Sequence, residues 1–106
     1  MKARYARRAV TDLGEIADFI RQFSPAVIAE RCFASTPANV RAEIQRMVET
    51  LERFPYSGPR TRLEEVRRIV VRRYPYIIYY IVDAARREVV ILTIQHGARR
   101  QPFEDE

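Results

Sequence analysis

The sequence predicts an α+β domain in which a helical hairpin covers one face of an antiparallel sheet. Three features predict it. Amphipathic helical stripes occupy the first half of the chain. Runs rich in β-branched and aromatic residues occupy the second half, and strong breaking signals divide the two. At 106 residues the chain suffices for one core and is too short for two, so residues 1–106 are read as a single domain.

Residues 2–7 read as a short first strand, in a segment with four positive charges before residue 9. The first helix follows. Val10, Leu13, Ile16, Ala17, Ile20 and Phe23 recur at helical spacing, which places Asp12, Glu15 and Asp18 on the opposite side or the flanks. Ser24-Pro25 then supplies an N-cap and a proline at the first helical position, opening a second helix. Thr36-Pro37 repeats that signal. A proline inside a helix costs about 3 kcal/mol, so the helix is expected to break there and a third to begin. Val40, Ile44, Met47, Val48, Leu51 and Phe54 form its stripe, and the run Pro55 to Pro59 ends it.

Val66 to Val71 reads as the next strand, with a turn at Tyr74-Pro75. Tyr76 to Asp83 is apolar on both faces, the pattern of a central strand. Ala84 to Arg87 is a polar link too short for a crossover, so Glu88 to Gln95 pairs with it as an antiparallel hairpin. With helices on one sheet face, the other carries some of Tyr76, Tyr79 and Tyr80 beside arginines. Such a face on a small protein is expected to meet a partner.

Composition narrows the chemistry. Apolar residues make up 47% and charged residues 31%, which excludes a disordered chain. The longest apolar run, Ile77 to Val82, is too short to span a bilayer, and the first residues lack a signal-peptide pattern. No membrane is expected, and the location is read as a reducing cytoplasm. The single cysteine, Cys32, excludes an internal disulfide, and with one histidine, His96, no metal site and no cofactor are expected. Nineteen basic residues against fourteen acidic ones give a net charge of +5, which suits an acidic partner.

Several pieces, taken in order, resemble the ParE/RelE superfamily of type II toxin–antitoxin toxins, also called plasmid stabilisation proteins. They are Ala9, Asp12-Leu13 and Ile16; Leu51 through Pro55 with Gly58; Arg67 or Arg68; the run Arg73 through Tyr80; and His96-Gly97-Ala98-Arg99. The tyrosine-proline-tyrosine strand and the histidine-glycine-alanine-arginine ending are most similar to the ParE-like branch. The stretch Cys32 to Asn39 departs from the pattern and resembles an insertion. The resemblance implies a β-α-α-β-β-β core and a toxin neutralised by a cognate antitoxin, alone as a homodimer or with the antitoxin as a hetero-oligomer. ParE-like members poison DNA gyrase without catalysis. RelE-like members cut messenger RNA on the ribosome.

Two readings of the residues follow. From Arg60 to Arg73 there are six arginines and two acids, a local charge of +4 that suits phosphates or an acidic segment. Arg67, Arg68, Arg73, Tyr80, His96 and Arg99 are the binding candidates. The bland alternatives are a solvated basic edge, a strand-ending histidine with one structural hydrogen bond, and core tyrosines. In the ribonuclease reading, His96 is the general acid or base and Arg67 stabilises the phosphorane charge. Against that reading, the lysines that some RelE-like enzymes use are missing; Lys2 is the only lysine. Glu64 or Glu65 would have to supply a carboxylate instead.

Overall fold

A computed structural model describes residues 1–22, 37–63, 65–71 and 74–97. Among the described residues, four strands and two helices follow in the order β1 (Lys2–Tyr5), α1 (Arg7–Gln22), α2 (Pro37–Arg53), β2 (Arg67–Val70), β3 (Tyr76–Asp83) and β4 (Glu88–His96). The predicted helix from Pro25, the Cys32 to Thr36 part of the insertion-like stretch, Glu64, Arg73, Arg99 and the acidic tail lie outside the described residues.

The sheet order is β1-β4-β3-β2. The three later strands form the expected antiparallel meander. One pairing corrects the all-antiparallel expectation: β1 runs parallel to β4, with Lys2 opposite Glu88 and Tyr5 opposite Ile91. No hairpin joins these two strands, so no tight turn forces them antiparallel. The β3–β4 link is a four-residue turn. Arg86 N–H donates to Asp83 Oδ1, and Arg87 takes the left-handed conformation with φ of 56°.

The main core lies between the helices and one sheet face. Ala9 of α1 and Val40, Ile44, Val48 and Leu51 of α2 pack on Tyr76, Ile78 and Tyr80 of β3 and on Val89, Ile91 and Ile94 of β4. Alternation along β4 would not put both Ile91 and Ile94 inward. The register slips between the Tyr79–Thr93 and Tyr80–Ile91 pairs, leaving Leu92 without a counterpart. That bulge turns both isoleucines to the same core.

The α1 stripe is rotated from the expected one. Val10 is 58% exposed, while Ala9 and Asp12 are buried beside the half-buried Leu13 and Ile16. A smaller apolar cluster on the opposite sheet face holds Val66, Ile77 and Tyr79, flanked by Ile81 and Leu92. On the outer side of β1, Glu52 of α2 accepts a hydrogen bond from Ala3 N–H at 2.7 Å. A carboxylate there occupies a donor that would otherwise stay open on an edge strand.

Candidate functional site

The segment after α2 is built around two side chains of the sheet. Tyr80 is fully buried, and its hydroxyl accepts a hydrogen bond of 3.0 Å from Gly58 N–H. Burial raises its pKa above the ordinary tyrosine value of 10.0; the Gly58 contact and the Arg67 charge partly oppose this. Arg67 donates to Gly58 O at 2.8 Å and to Tyr56 O at 3.3 Å. Its guanidinium also stands 5.1 Å from the centre of the Tyr56 ring. Arg68 N–H donates to Pro59 O, and Arg60 bridges to Arg67, so the segment lies against β2.

Tyr80 anchors a loop from within the core. Arg67 is held by two loop carbonyls and an aromatic face. Arg67, Ile69 and Val71 do share the helix-side face, as period-two alternation requires: Ile69 packs on the core and Val71 lies in it. Arg68 is half-buried opposite Tyr79, on the other face.

His96 ends β4 opposite Tyr76. The two rings meet edge to face, with centroids 5.5 Å apart and planes at 85°. They line a cleft of about 270 Å³ with Asp12, Glu15, Ile16, Phe19 and Ile94. Asp12, expected on the solvent flank, is 3% exposed at its base. Its Oδ2 accepts from Thr93 Oγ1 and from Ile94 N–H at 3.0 Å, and its Oδ1 pairs with Arg8 at 3.0 Å. Gln95 Nε2 extends the chain by donating to Thr93 Oγ1. Asp12 therefore ties α1 to the β4 bulge. An acid four residues after an arginine was the local signal, but its sheet partners are remote in sequence.

The sheet keeps Arg67 and His96 apart. Arg67 stands opposite Tyr80 and His96 opposite Tyr76, on strands that flank β3. Four residues along a strand span about 13 Å, and two strand spacings add about 10 Å sideways. Their backbone positions are therefore about 16 Å apart.

Comparison with known proteins places this geometry in a family. The profile of the ParE toxin of the type II toxin–antitoxin system parDE matches residues 3–101. The chain belongs to the ParE toxin family. A curated relative from Sinorhizobium fredii, provisionally named toxin Y4kP, is 32% identical over 101 residues, 95% of this chain and 93% of the relative. Two solved structures share the fold. A chain from the chromosomal ParDE system of P. aeruginosa superimposes with a TM-score of 0.65 at 21% identity, over 91% of this chain and 95% of that one. The isolated E. coli RelE toxin gives 0.61 at 11% identity, over 94% and 87%. The ParE assignment thus covers both the Arg67 loop and the His96 cleft. Among the described residues no helix is long and apolar enough to cross a membrane, and no group of three or more His, Cys, Asp or Glu residues could hold a metal ion.

Proposed function

We propose that this chain is the toxin of a type II toxin–antitoxin pair and that it acts by binding DNA gyrase rather than by cutting RNA. The separation of Arg67 from His96 carries the choice. A ribonuclease of this fold needs its proton-transfer group and its phosphate-stabilising cation around one reacting centre. Here the two candidates stand at opposite ends of the sheet, and the arginine already serves a loop. Membership of the ParE family supports the gyrase target over the ribosome.

The P. aeruginosa relative comes from a ParDE system, and the E. coli RelBE structure is a toxin–antitoxin complex. On that basis we assign this chain an antitoxin of its own, which neutralises it in the cytoplasm as a hetero-oligomer. Arg67, Arg68, Arg73, Tyr80, His96 and Arg99 are the candidate binding residues, and in this reading Arg67 and His96 have no catalytic role. Purified protein added to gyrase, ATP and supercoiled DNA is expected to accumulate protein-linked linear DNA, and to leave transcripts intact in a translation extract. Cleaved transcripts without any effect on gyrase would overturn the proposal.

A further inference from the structure

On α1, Asp12, Glu15, Ile16 and Phe19 recur at the spacing of one helix face. That face, with Tyr76 of β3 and His96 of β4, bounds the cleft of about 270 Å³. Its walls are fixed without a ligand. Asp12 bonds to Thr93 and to Ile94 N–H, which ties the helix to β4. Gly97 N–H donates to Pro75 O, which ties the end of β4 to the start of β3. A preformed cleft loses less freedom on binding than one that must first be ordered.

Two features of the lining select a ligand. The first is aromatic. The Tyr76 and His96 rings meet edge to face, and the half-exposed Phe19 stands on the helix side. Aromatic walls hold apolar stems and attract cations toward ring faces. The second is charge. The sequence holds 19 basic residues, yet among the described residues no arginine or lysine lines this cleft, while Asp12 and Glu15 do. Arg8 offsets the Asp12 charge. Glu15 is exposed and has no ion-pair partner among the described residues, so its charge is uncompensated. The chain's net charge of +5 opposes a cation from afar, but salt screens exposed charges beyond about 8 Å, so the nearby carboxylate decides.

We infer that this cleft binds a small organic cation, a primary ammonium on an aromatic or aliphatic stem. The stem lies among Ile16, Phe19, Tyr76 and Ile94, and the ammonium pairs with Glu15. An anionic ligand of the same shape would meet Glu15 with like charge. A neutral one would gain the stem contacts alone. The site stands whether or not gyrase is the target.

The test titrates isotope-labelled protein with three ligands of similar shape, followed by amide chemical shifts: phenethylammonium, phenethyl alcohol and hydrocinnamate. The ammonium is expected to saturate, to move the amides of residues 12–19 and 94–97, and to bind about fivefold more tightly than the alcohol. Hydrocinnamate should bind more weakly than either. Glu15→Gln should erase the preference for the ammonium over the alcohol. Glu49→Gln removes the same charge from an exposed position on α2 and should leave that preference unchanged. Phe19→Ser should weaken both ligands. All three altered side chains are exposed, and unchanged thermal unfolding of the variants checks that they fold. Equal binding of the alcohol, tighter binding of hydrocinnamate, shifts confined to other parts of the chain, or an undiminished ammonium preference in Glu15→Gln would each overturn the inference. So would the lack of a saturating shift from the ammonium below about 10 mM.

Discussion

The hydroxyl of Tyr80, at the centre of the sheet, accepts a hydrogen bond of 3.0 Å from the backbone N–H of Gly58, 22 residues earlier. This contact joins the core to the loop that carries the exposed aromatics. Tyr80→Phe keeps the ring and leaves a buried N–H without its acceptor, so a loss of about 1–2 kcal/mol is expected in urea unfolding at neutral pH.

The same substitution changes the alkaline behaviour. Burial raises the pKa of Tyr80, and burial followed by Glu52 raises that of Tyr5, in both cases above the ordinary value of 10.0. A raised folded-state pKa means that the native protein holds its proton longer than the unfolded chain does. The associated stability is complete below the unfolded value and is lost as pH climbs through the folded one. Wild-type urea midpoints measured from about pH 8 to about pH 11.5 should therefore fall at the alkaline end. In Tyr80→Phe that fall should be shallower, with the Tyr5 share remaining. Equal alkaline slopes in the two proteins would refute the assignment.

Gly58 itself admits no side chain. A Cβ built there would lie 2.4 Å from Arg68 O and 2.6 Å from the Tyr80 hydroxyl. One of those neighbours is backbone of β2, which cannot move without breaking its ladder. Gly58→Ala is expected to cost about 2–3 kcal/mol, seen as a lower urea midpoint, and to expose amides 56–60 to hydrogen exchange. Gly14, which has nothing within 4 Å of a built Cβ, provides the control: Gly14→Ala in mid-helix should stabilise by about 0.5–1 kcal/mol.

Much of this architecture was legible because it is local. Tyr76 to Asp83 forms the predicted strand with the predicted ends, since a run of β-branched and aromatic residues bounded by turns has few alternatives. The stripe of α2 also lies where its spacing puts it, except that Phe54, just past the helix, is exposed. The inward face of helix α1 lies about one position from the stripe its spacing predicts. Val10 carries hydrophobic weight but faces out, while the inward residues include an alanine and an aspartate, which contribute little to any apolar pattern. What justifies burying Asp12 lies 81 and 82 residues away, at Thr93 and Ile94. The parallel β1–β4 pairing is equally remote, joining the two ends of the described chain. For the candidate site, the spacing marks Arg67 but not its partners: the Tyr56 and Gly58 carbonyls it holds belong to a stretch that composition marks only as a helix terminator.

The Asp12 junction gives an ordered series. Asp12→Ala deprives Thr93, the Ile94 N–H and Arg8 of their common acceptor, and a loss of about 2–4 kcal/mol is expected. Asp12→Asn retains one oxygen for the sheet donors and should lose about 1 kcal/mol. Arg8→Ala removes only the exposed partner and should change stability by less than about 1 kcal/mol. Urea unfolding of the three variants checks the order. An Arg8 effect as large as that of Asp12→Ala would mean that the ion pair, and not the bond to the β4 bulge, is what matters.

His96 separates the binding mode from the catalytic one. Its ring packs edge to face on Tyr76, a contact worth about 0.5–1.5 kcal/mol, so His96→Ala alone confounds chemistry with packing. His96→Phe keeps an aromatic ring against Tyr76 and removes every ionisable nitrogen. A toxin that acts by binding should lose only part of its growth inhibition in His96→Phe, about tenfold or less, because the ring's packing on Tyr76 is kept and only a surface contact is lost. A general acid or base contributes about a hundredfold or more to rate, so a ribonuclease would lose its toxicity in both variants at matched expression. Growth arrest scored against inducer concentration, with protein levels measured by immunoblot, reads the difference. Loss of toxicity in His96→Phe with an unchanged melting temperature would put proton transfer in the cleft that His96 shares with Glu15 and Asp12, and would make that cleft the centre of an enzyme.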